Sequence, residues 1–255
     1  MGARRLSIID RRGGNQPIHN EDETVWTVFN GEIYNYMQLR KEMESKGHKF
    51  YTKSDTEVLV HLYEEYGENF VTKLRGMFAF AIWDTRKKKL LLARDRMGKK
   101  PLYYHYHNGR FYFASEIKSI LIDKRIPRSV DKTALSEFLT FRASVGENTM
   151  FRGIMKLMPG HIMTLSGGKL SKKKYWELKM MEGRESESYY IDLLRRTFEE
   201  AVKMRLVGEV PLGAYLSGGV DSSTVVAIMK KFSEEPVKTF SIGFGNEMDE
   251  TGYAR

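Results

Sequence analysis

The stretch GMFAFAIWDTRKKKLLLARD, residues 76–95, decides the fold of the first part of the chain. Two apolar runs, FAFAIWD (78–84) and KLLLARD (89–95), flank a charged turn at residues 85–89. Short apolar runs separated by a turn predict a pair of β-strands. Because each run is apolar on both of its faces, we expect a sheet that is covered on both sides.

More hairpins are predicted on the C-terminal side of this stretch. PLYYHYH (101–107) and RFYFASE (110–116) flank Asn108-Gly109, the strongest short hairpin signal. Residues 161–165, followed by Gly167-Gly168, predict one more hairpin. Two helices are predicted between these hairpins, at residues 115–121 and at residues 132–141, the latter with Asp131 as its N-cap.

A strand is also predicted on the N-terminal side, at residues 24–29 (TVWTVF). Asn30-Gly31-Glu32 has turn chemistry and is expected to end that strand. Asn35 can then cap a helix that runs to about Lys46 and stops at Gly47.

A second helix is predicted from SDTE (54–57), which has the S-x-x-E form of a capping box, to about Tyr66, with Gly67 as its end. In this interpretation Asp55 serves the helix cap as readily as it serves any ligand. Glu32 is equally consistent with an ordinary surface carboxylate.

Composition limits the classes of function. The chain has 255 residues, 41% of them hydrophobic, and a mean hydropathy of −0.47, which are typical of a globular protein with one large or two smaller domains. No run approaches the roughly 18 apolar residues of a membrane helix, and the first ten residues lack a signal-peptide core. We therefore expect a cytoplasmic protein without a membrane partner. Cysteine is absent, which removes disulfides, thiolate metal sites and cysteine nucleophiles from this sequence.

The formal net charge is +9, which predicts either a solvated basic surface or attraction to polyanions. The basic runs at residues 86–89 and 172–174 are expected at turns between apolar segments, where they favour solubility. No zinc-finger, RRM or helix-turn-helix pattern occurs, so nucleic acid is not an expected partner.

The composition changes at residues 179–188 (KMMEGRESES), which we predict to be a linker between domain 1–178 and domain 189–255. The second domain opens with an amphipathic helix. A buried strand at residues 212–216, a loop at 217–223, a helix at 224–232 and a strand at 237–244 then predict a β-α-β unit of a parallel sheet. One such unit cannot bury both faces of its sheet, so we expect this domain to be incomplete.

The loop SGGVDSS (217–223) carries the sharpest chemistry. Its glycines let the backbone approach an anion, its serines offer hydroxyl groups, and the following helix N-terminus favours phosphate. Asp221 would repel a bare phosphate unless a cation bridges them, which implies Mg²⁺. The alternative is an ordinary turn, since S-G-G is common in turns. The G-K-[ST] ending of a Walker A loop is missing.

SGGVDSS resembles the pyrophosphate loop of ATP-pyrophosphatases, and TFSIGF (239–244) resembles the adenine-binding strand that follows it. RRLSIID, FNGEIYNY, SDTEVL, GMFAFAIWD, LLARDRMGKKPLYY and FASEIKSIL resemble, in order, the glutaminase domain of class II amidotransferases. Together they resemble the glutamine-hydrolysing asparagine synthetase family over nearly the whole chain. The resemblance implies an α+β four-layer αββα domain of the Ntn-hydrolase type, followed by the start of an α/β Rossmann-like ATP-pyrophosphatase domain.

The resemblance also implies roles for individual residues. Arg5 would bind the glutamine α-carboxylate, and Glu32 and Asp55 would receive its α-ammonium group. Asn30 and Gly31 would form the oxyanion hole. Asp221 would hold Mg²⁺. The ATP and pyrophosphate site would consist of Leu216, Ser217, Gly218, Gly219, Asp221, Ser222, Ser223, Ser241 and Ile242.

The implied activity is an ATP- and glutamine-dependent ligase that converts aspartate to asparagine through aspartyl-AMP, for asparagine biosynthesis. Members of this family often form homodimers, but nothing in the sequence identifies an interface. The family's nucleophile is an N-terminal cysteine, and this sequence has none, nor the strands that precede RRLSIID. We therefore expect no glutaminase activity from this piece.

Two alternatives stay open. One is the same architecture with another carboxylate acceptor, and the other is a non-catalytic glutamine- or nucleotide-binding subunit.

Overall fold

The protein is described by a computed structural model that covers residues 1–4, 9–10, 13–180, 182–208, 210–243, 245 and 250–254. The chain divides into two compact units, Met1–Lys179 and Met180–Arg255. Within the described residues, no helix is both long enough and apolar enough to cross a membrane.

The first unit contains nine strands and four α-helices among its described residues. The strands are β1 (Ile18–His19), β2 (Val25–Ile33), β3 (Gly76–Asp84), β4 (Lys89–Arg94), β5 (Tyr103–His107), β6 (Arg110–Ala114), β7 (Met155–Lys156), β8 (His161–Ser166) and β9 (Lys169–Lys174). The helices are α1 (Tyr36–Ser45), α2 (Val58–Tyr66), α3 (Ile117–Ile120) and α4 (Lys132–Phe141), with 3-10 turns at Asp55–Glu57 and Gly67–Lys73.

The first unit has four layers. Six antiparallel strands form one sheet in the order β1-β2-β3-β4-β8-β9, and a second antiparallel sheet has the order β6-β5-β7. One apolar core, which includes Leu59 and Phe80, lies between α1, α2 and the large sheet. A second core, around Leu92 and Tyr104, lies between the two sheets, and a third, around Ile120, lies beneath α3. The predicted αββα architecture is confirmed.

The position of β3 between two cores explains why both of its faces are apolar. Phe80 and Ile82 belong to the helix-side core, whereas Ala79 and Ala81 belong to the core between the sheets. Side chains alternate across a strand, so a strand that lies between two layers needs apolar residues at every position. The predicted hairpin of β3 and β4 is confirmed, with pairing from Ala79–Arg94 to Asp84–Lys89.

The glycine-containing turns also match the sequence prediction. Asn108 and Gly109 have φ values of 50° and 73°, and Gly167 and Gly168 have values of 55° and 75°. Positive φ at both central residues defines the tight turn that suits the twist of a hairpin. The helix α4 has the predicted bounds, and the side chain of Asp131 accepts a hydrogen bond from the Ala134 N–H at 2.9 Å. The helix predicted at residues 115–121 is shorter, because α3 spans only Ile117–Ile120.

The prediction of a turn at Asn30-Gly31-Glu32 is wrong. β2 continues through these residues to Ile33, and Gly31 pairs with Phe78 of β3. A Cβ atom on Gly31 would lie 2.0 Å from the carbonyl oxygen of Met77. The glycine therefore permits close strand pairing here, which overrides its local preference for turns.

The two predicted helix caps are only partly correct. α1 begins after Asn35, but the Asn35 side chain makes no cap hydrogen bond and instead bonds the backbone of Lys73 and Arg75. Ser54 caps the 3-10 turn by accepting from the Thr56 N–H at 3.2 Å. The capping box does not form, because the Glu57 carboxylate accepts from Tyr51 and Thr52 instead. Both helices stop near Gly47 and Gly67, as predicted.

The basic run at residues 172–174 does not lie at a turn, contrary to the prediction. These lysines belong to β9, the last strand of the six-stranded sheet, and they are exposed. Among the described residues their strand pairs only with β8, so its other edge tolerates charge. In the run at residues 86–89, the first three residues lie in the connection between β3 and β4, and Lys89 begins β4.

The second unit is a small β-α-β arrangement. Its elements are α5 (Glu187–Met204), β10 (Gly213–Tyr215), α6 (Val220–Lys231), β11 (Lys238–Phe240) and a 3-10 turn at Glu250–Ala254. β10 and β11 are parallel, as the sequence predicts. A small core around Val202, Ile228 and Met229 joins the two helices to one face of this sheet.

Two expectations for the second unit are wrong. The strand predicted to be buried is exposed, since Leu212 is 41% and Tyr215 79% accessible. Parallel strands are typically apolar because both faces of their sheet are covered. Within the described residues this strand keeps the apolar composition but is not buried. The helix predicted from residue 224 begins four residues earlier, because Gly219 is extended at its N-cap and accepts from the Ser223 N–H.

Candidate functional site

The last part of β2 brings two polar side chains to the space between the sheets. Asn30 and Glu32 share one face of β2 with Val28, which belongs to the core between the two sheets. The Asn30 side-chain amide donates to the Ser115 hydroxyl at 3.1 Å. Ser115 directly follows β6 of the second sheet, so this hydrogen bond links the ends of strands from both sheets.

Asp55 approaches the same strand end from the helix layer. It opens the 3-10 turn Asp55–Glu57 and is buried. Its carboxylate accepts from the Ile33 N–H at 3.0 Å, so it is fixed against the end of β2. The carboxylate therefore serves neither as N-cap nor as a free surface group, which corrects the helix-cap interpretation.

These residues line one cavity of about 650 Å³. The structure brings Asn30, Gly31, Glu32 and Asp55 together there, although Asp55 is 23 positions from Glu32 in the sequence. Arg5 lies outside the described residues. The remaining lining residues are Gly2, Ala3, Arg4, Ile9, Gln16, Val28, Phe29, Thr56, Ala79, Phe80, Ala81, Lys100, Leu102, Phe113, Ala114, Ser115, Glu116 and Ser119.

Lys100 reaches the cavity because a tightly bonded loop follows β4. The buried carboxylate of Asp95 accepts from the backbone N–H groups of Phe78, Met97, Lys99 and Lys100 at 2.9–3.1 Å. The Arg94 guanidinium donates to three carbonyl oxygens around the same loop. Burial lowers the pKa of Arg94, an effect that the adjacent Asp95 carboxylate opposes.

Lys100 and Ser115 were not among the site residues predicted from the sequence. Both residues lie inside stretches that resemble the family, LLARDRMGKKPLYY and FASEIKSIL, which is the signal that could have found them. Nothing in the residue types themselves distinguishes this lysine or this serine from surface residues. Their position in the cavity depends on the loop after β4 and on the end of β6.

The cavity carries charges of both signs. Glu32 and Asp55 supply anionic groups, and Lys100 and Arg4 supply cationic ones. The Asn30 amide adds a hydrogen-bond donor. Such a cavity is suited to a small zwitterion whose ammonium and carboxylate groups are separated, and a fixed amide donor beside it can stabilise a developing oxyanion.

The second unit contains the other candidate site, at the carboxyl ends of β10 and β11. The loop turns at Gly218, whose φ is +90°, and leads into the N-terminus of α6. The hydroxyls of Ser217 and Ser222 lie 3.0 Å apart, and Ser222 also donates to the Gly219 carbonyl at 3.1 Å. The loop is therefore held in shape by its own serines.

The other predicted residues of this site lie around the loop. Ser241, just after β11, donates to the Leu216 carbonyl at 2.6 Å, and Ile242 follows it with 69% exposure. Asp221 and Ser223 lie in the first turn of α6, where Asp221 is exposed. An exposed carboxylate beside hydroxyls and free helix N–H groups fits a hydrated Mg²⁺ bound to a phosphate.

The first unit is a four-layer αββα domain with a polar cavity at the end of its two sheets, which is the class of fold predicted from the sequence. Residues 1–176 match the family model described as a glutamine amidotransferase domain, and the chain belongs to this family. Residues 193–255 match the family model described as asparagine synthase. The resemblance identified in the sequence is therefore confirmed.

Curated relatives cover nearly all of the chain. It is 43% identical over 245 residues to asparagine synthetase [glutamine-hydrolyzing] 1 of Bacillus subtilis. The aligned region covers 96% of this chain and 38% of the relative. It is 36% identical over 253 residues to amidase chyE of Penicillium rubens, across 97% of this chain and 36% of the relative. The chain thus spans about two-fifths of the length of these relatives.

Among solved structures, a glutamine phosphoribosylpyrophosphate amidotransferase from Bacillus subtilis aligns with a TM-score of 0.43 and 18% identity. The alignment covers 92% of this chain and 50% of that chain.

Proposed function

We propose that the first unit binds free glutamine in the cavity at the end of β2. The observation that carries this proposal is the convergence of Asn30, Gly31, Glu32 and Asp55 on one cavity. Glu32 and Asp55 receive the α-ammonium group. The α-carboxylate pairs with Arg5, for which the family resemblance is the support, and Lys100 is a second cation on the cavity wall.

The reacting amide of glutamine would lie beside Asn30 and Gly31. The Asn30 side-chain amide and the Gly31 backbone N–H then act as donors to the oxyanion that forms during amide hydrolysis. Ser115 accepts a hydrogen bond from Asn30 and orients this amide. The family's cysteine nucleophile is not among the 255 residues. This chain by itself therefore binds glutamine without releasing ammonia.

The protein to which this chain belongs acts, in our proposal, as a glutamine- and ATP-dependent asparagine synthetase. The matches to asparagine synthase over residues 193–255 and to the Bacillus subtilis asparagine synthetase support this. Aspartate is adenylated and ammonia displaces AMP. Homodimer formation and a cytoplasmic location are part of the same proposal.

The loop of the second unit would hold the pyrophosphate of ATP. Ser217, Gly218, Gly219, Ser222 and Ser223 present hydroxyl and backbone N–H groups at the N-terminus of α6. Leu216, Ser241 and Ile242 lie at the adjoining strand ends. Mg²⁺, held by Asp221, neutralises phosphate charge when bound.

An amidotransferase with a different carboxylate acceptor is the second candidate. The 36% identity to a protein named amidase chyE favours it, since that relative has a different name and aligns over 97% of this chain. The residues that select the acceptor distinguish the two candidates, and the glutamine cavity is common to both.

Calorimetric titration of the chain with L-glutamine tests the proposal. We expect saturable binding, at least tenfold weaker binding in Asp55→Asn, and unchanged binding in the matched control Glu177→Gln, whose carboxylate pairs with Lys174 on the surface. D-glutamine is the ligand control. Equal affinity in Asp55→Asn and the parent would overturn the assignment. Glutamate release above a no-enzyme control would overturn the prediction that the chain does not hydrolyse glutamine.

A further inference from the structure

Four side chains that none of the proposed functions uses meet beside α2. His61 and Glu64 lie one turn apart on that helix, Glu21 lies between β1 and β2, and His48 follows α1. One ligand atom from each of the four lies within 4.8 Å of all the others. We call this group the His48–His61 cluster.

The imidazole of His61 is buried among carboxylates. Its side chain is 1% exposed, and neither ring nitrogen has a hydrogen bond to the part of the chain that the structure describes. Carboxylate oxygens of Glu21 and Glu64 lie 3.5 and 3.4 Å from its Nδ1, outside hydrogen-bond geometry. A buried imidazole without hydrogen bonds is costly, so something else is expected to satisfy it.

The spacing of the imidazole nitrogens and carboxylate oxygens is close to that around a small tetrahedral ion. Bonds of about 2.0–2.1 Å to a tetrahedral Zn²⁺ place neighbouring ligand atoms about 3.3–3.4 Å apart. His61 Nδ1 lies 3.4 Å from Glu64 Oε2 and 3.5 Å from Glu21 Oε2. His48 Nδ1 lies 3.8 Å from the same Glu64 oxygen and 3.3 Å from the other Glu21 oxygen, Oε1. Small shifts of these side chains would complete the geometry.

The other atoms of the four side chains have supporting contacts. The Nε2 of His61 faces Glu57 at 3.7 Å, and the Nε2 of His48 faces Glu65 at 3.3 Å. A carboxylate behind each histidine is the usual outer support of a metal-bound imidazole. Asn20 donates to Glu64 at 2.7 Å, and the Lys49 N–H donates to Glu21 at 2.8 Å.

The surroundings favour a positive charge. Carboxylate oxygens of Glu21, Glu57 and Glu64 all lie 3.4–3.7 Å from the ring nitrogens of His61.

We propose that the His48–His61 cluster is a binding site for a divalent transition-metal ion such as Zn²⁺, with two imidazole nitrogens and two carboxylate oxygens as ligands. Mixed imidazole and carboxylate ligands suit Zn²⁺ and its neighbours better than Mg²⁺ or Ca²⁺. The ion joins three separate segments of the chain. Through Glu57 it also braces the 3-10 turn that carries Asp55 to the cavity.

Titration of the metal-free, tag-free chain with ZnCl₂ tests this site, together with Co²⁺ absorption as a readout of tetrahedral ligation. We expect one equivalent bound by the parent. His48→Ala and Glu64→Gln, at partly exposed positions, should lose at least about 10–100-fold in affinity. The matched control His107→Ala changes an exposed histidine of β5 and should bind as the parent does. Far-UV circular dichroism checks that each variant folds.

Two results would overturn the proposal. One is no saturable binding at one equivalent. The other is stoichiometric binding that His48→Ala and Glu64→Gln leave unchanged. Glutamine binding is measured separately on the same samples, so failure of this site is distinguishable from failure of the glutamine cavity.

Discussion

Strands of similar composition have different environments in the two units. In the first unit, β3 lies between two cores, and Phe80 is only 2% exposed. In the second, β10 and β11 have a small core on one face, and Tyr215 and Phe240 are 79% and 59% exposed. A strand that is apolar on both faces indicates a sheet that is covered on both sides. The strand is buried only where the folded chain supplies both covering layers.

Hydrogen exchange should show the largest difference between the units. The amide of Leu92 in β4 should exchange at least about 10⁴-fold more slowly than that of Tyr215 in β10, because it opens only with the packed core. Exchange monitored by NMR or mass spectrometry measures both. Equal protection of the two amides would contradict the comparison.

Core truncation should also separate the two units. Phe80→Ala removes a ring whose centroid lies 5.4 Å from that of Phe78 and 5.7 Å from that of Phe70. The substitution should lower the free energy of unfolding by about 3–5 kcal/mol. Urea unfolding followed by fluorescence reports on the first unit, since Trp26, Trp83 and Trp176 all belong to it.

Two controls accompany this variant. Phe138→Ala, at a 46% exposed position of α4, should change the same transition far less. Phe240→Ala in β11 should change the stability of the second unit by no more than about 0.5 kcal/mol, as followed by hydrogen exchange of β10. A loss in Phe240→Ala as large as in Phe80→Ala would show that the exposed face of β11 is covered in solution.

The loop after β4 offers a prediction about polar burial. Asp95→Ala leaves four backbone N–H groups without their acceptor, and it should cost about 3 kcal/mol of unfolding free energy. Asp131→Ala, which removes the N-cap of α4, should cost only about 1 kcal/mol. Urea titration of both variants measures the difference. Equal losses would mean that the Asp95 bonds contribute no more than a helix cap.

A smaller effect than that of Asp95→Ala is expected in the loop of the second unit. Gly218→Ala introduces a side chain where φ is +90°, and it should destabilise the loop by about 1–2 kcal/mol. Calorimetry with MgATP should then show weaker binding. Gly146→Ala in the first unit is the matched control, because no atom lies within 4 Å of the added Cβ. Equal binding by both variants would argue against the conformation of Gly218 as a requirement.

The fold was predictable where local chemistry and tertiary structure agree. Asn108-Gly109 specifies its turn by itself, and Asp131 marks the start of α4. The prediction failed at Gly31, because a glycine that permits close strand pairing has the same local signature as a glycine in a turn. Asn35 shows the same limit, since its side chain has tertiary partners that its sequence neighbours do not reveal.

The candidate sites were predictable to different degrees. The family resemblance selected Asn30, Gly31, Glu32 and Asp55, and all four line one cavity, although their roles stay predictions. The His48–His61 cluster was not predictable, because its members span residues 21–64 without a metal-binding spacing. They meet only because α2 packs beside the turn after β1 and the segment after α1.

The lysines of β9 have a consequence for self-association. A strand at the end of a sheet order presents unpaired backbone groups that can recruit a strand from another molecule. β9 has the sequence KLSKKK and is exposed along nearly its whole length, so an approaching copy of the same edge would bring like charges together. Lys172 and Lys174 are paired with Glu147 and Glu177, so we expect the repulsion between copies to come mainly from Lys169 and Lys173. High salt, which screens that repulsion, would weaken this barrier to sheet extension between copies.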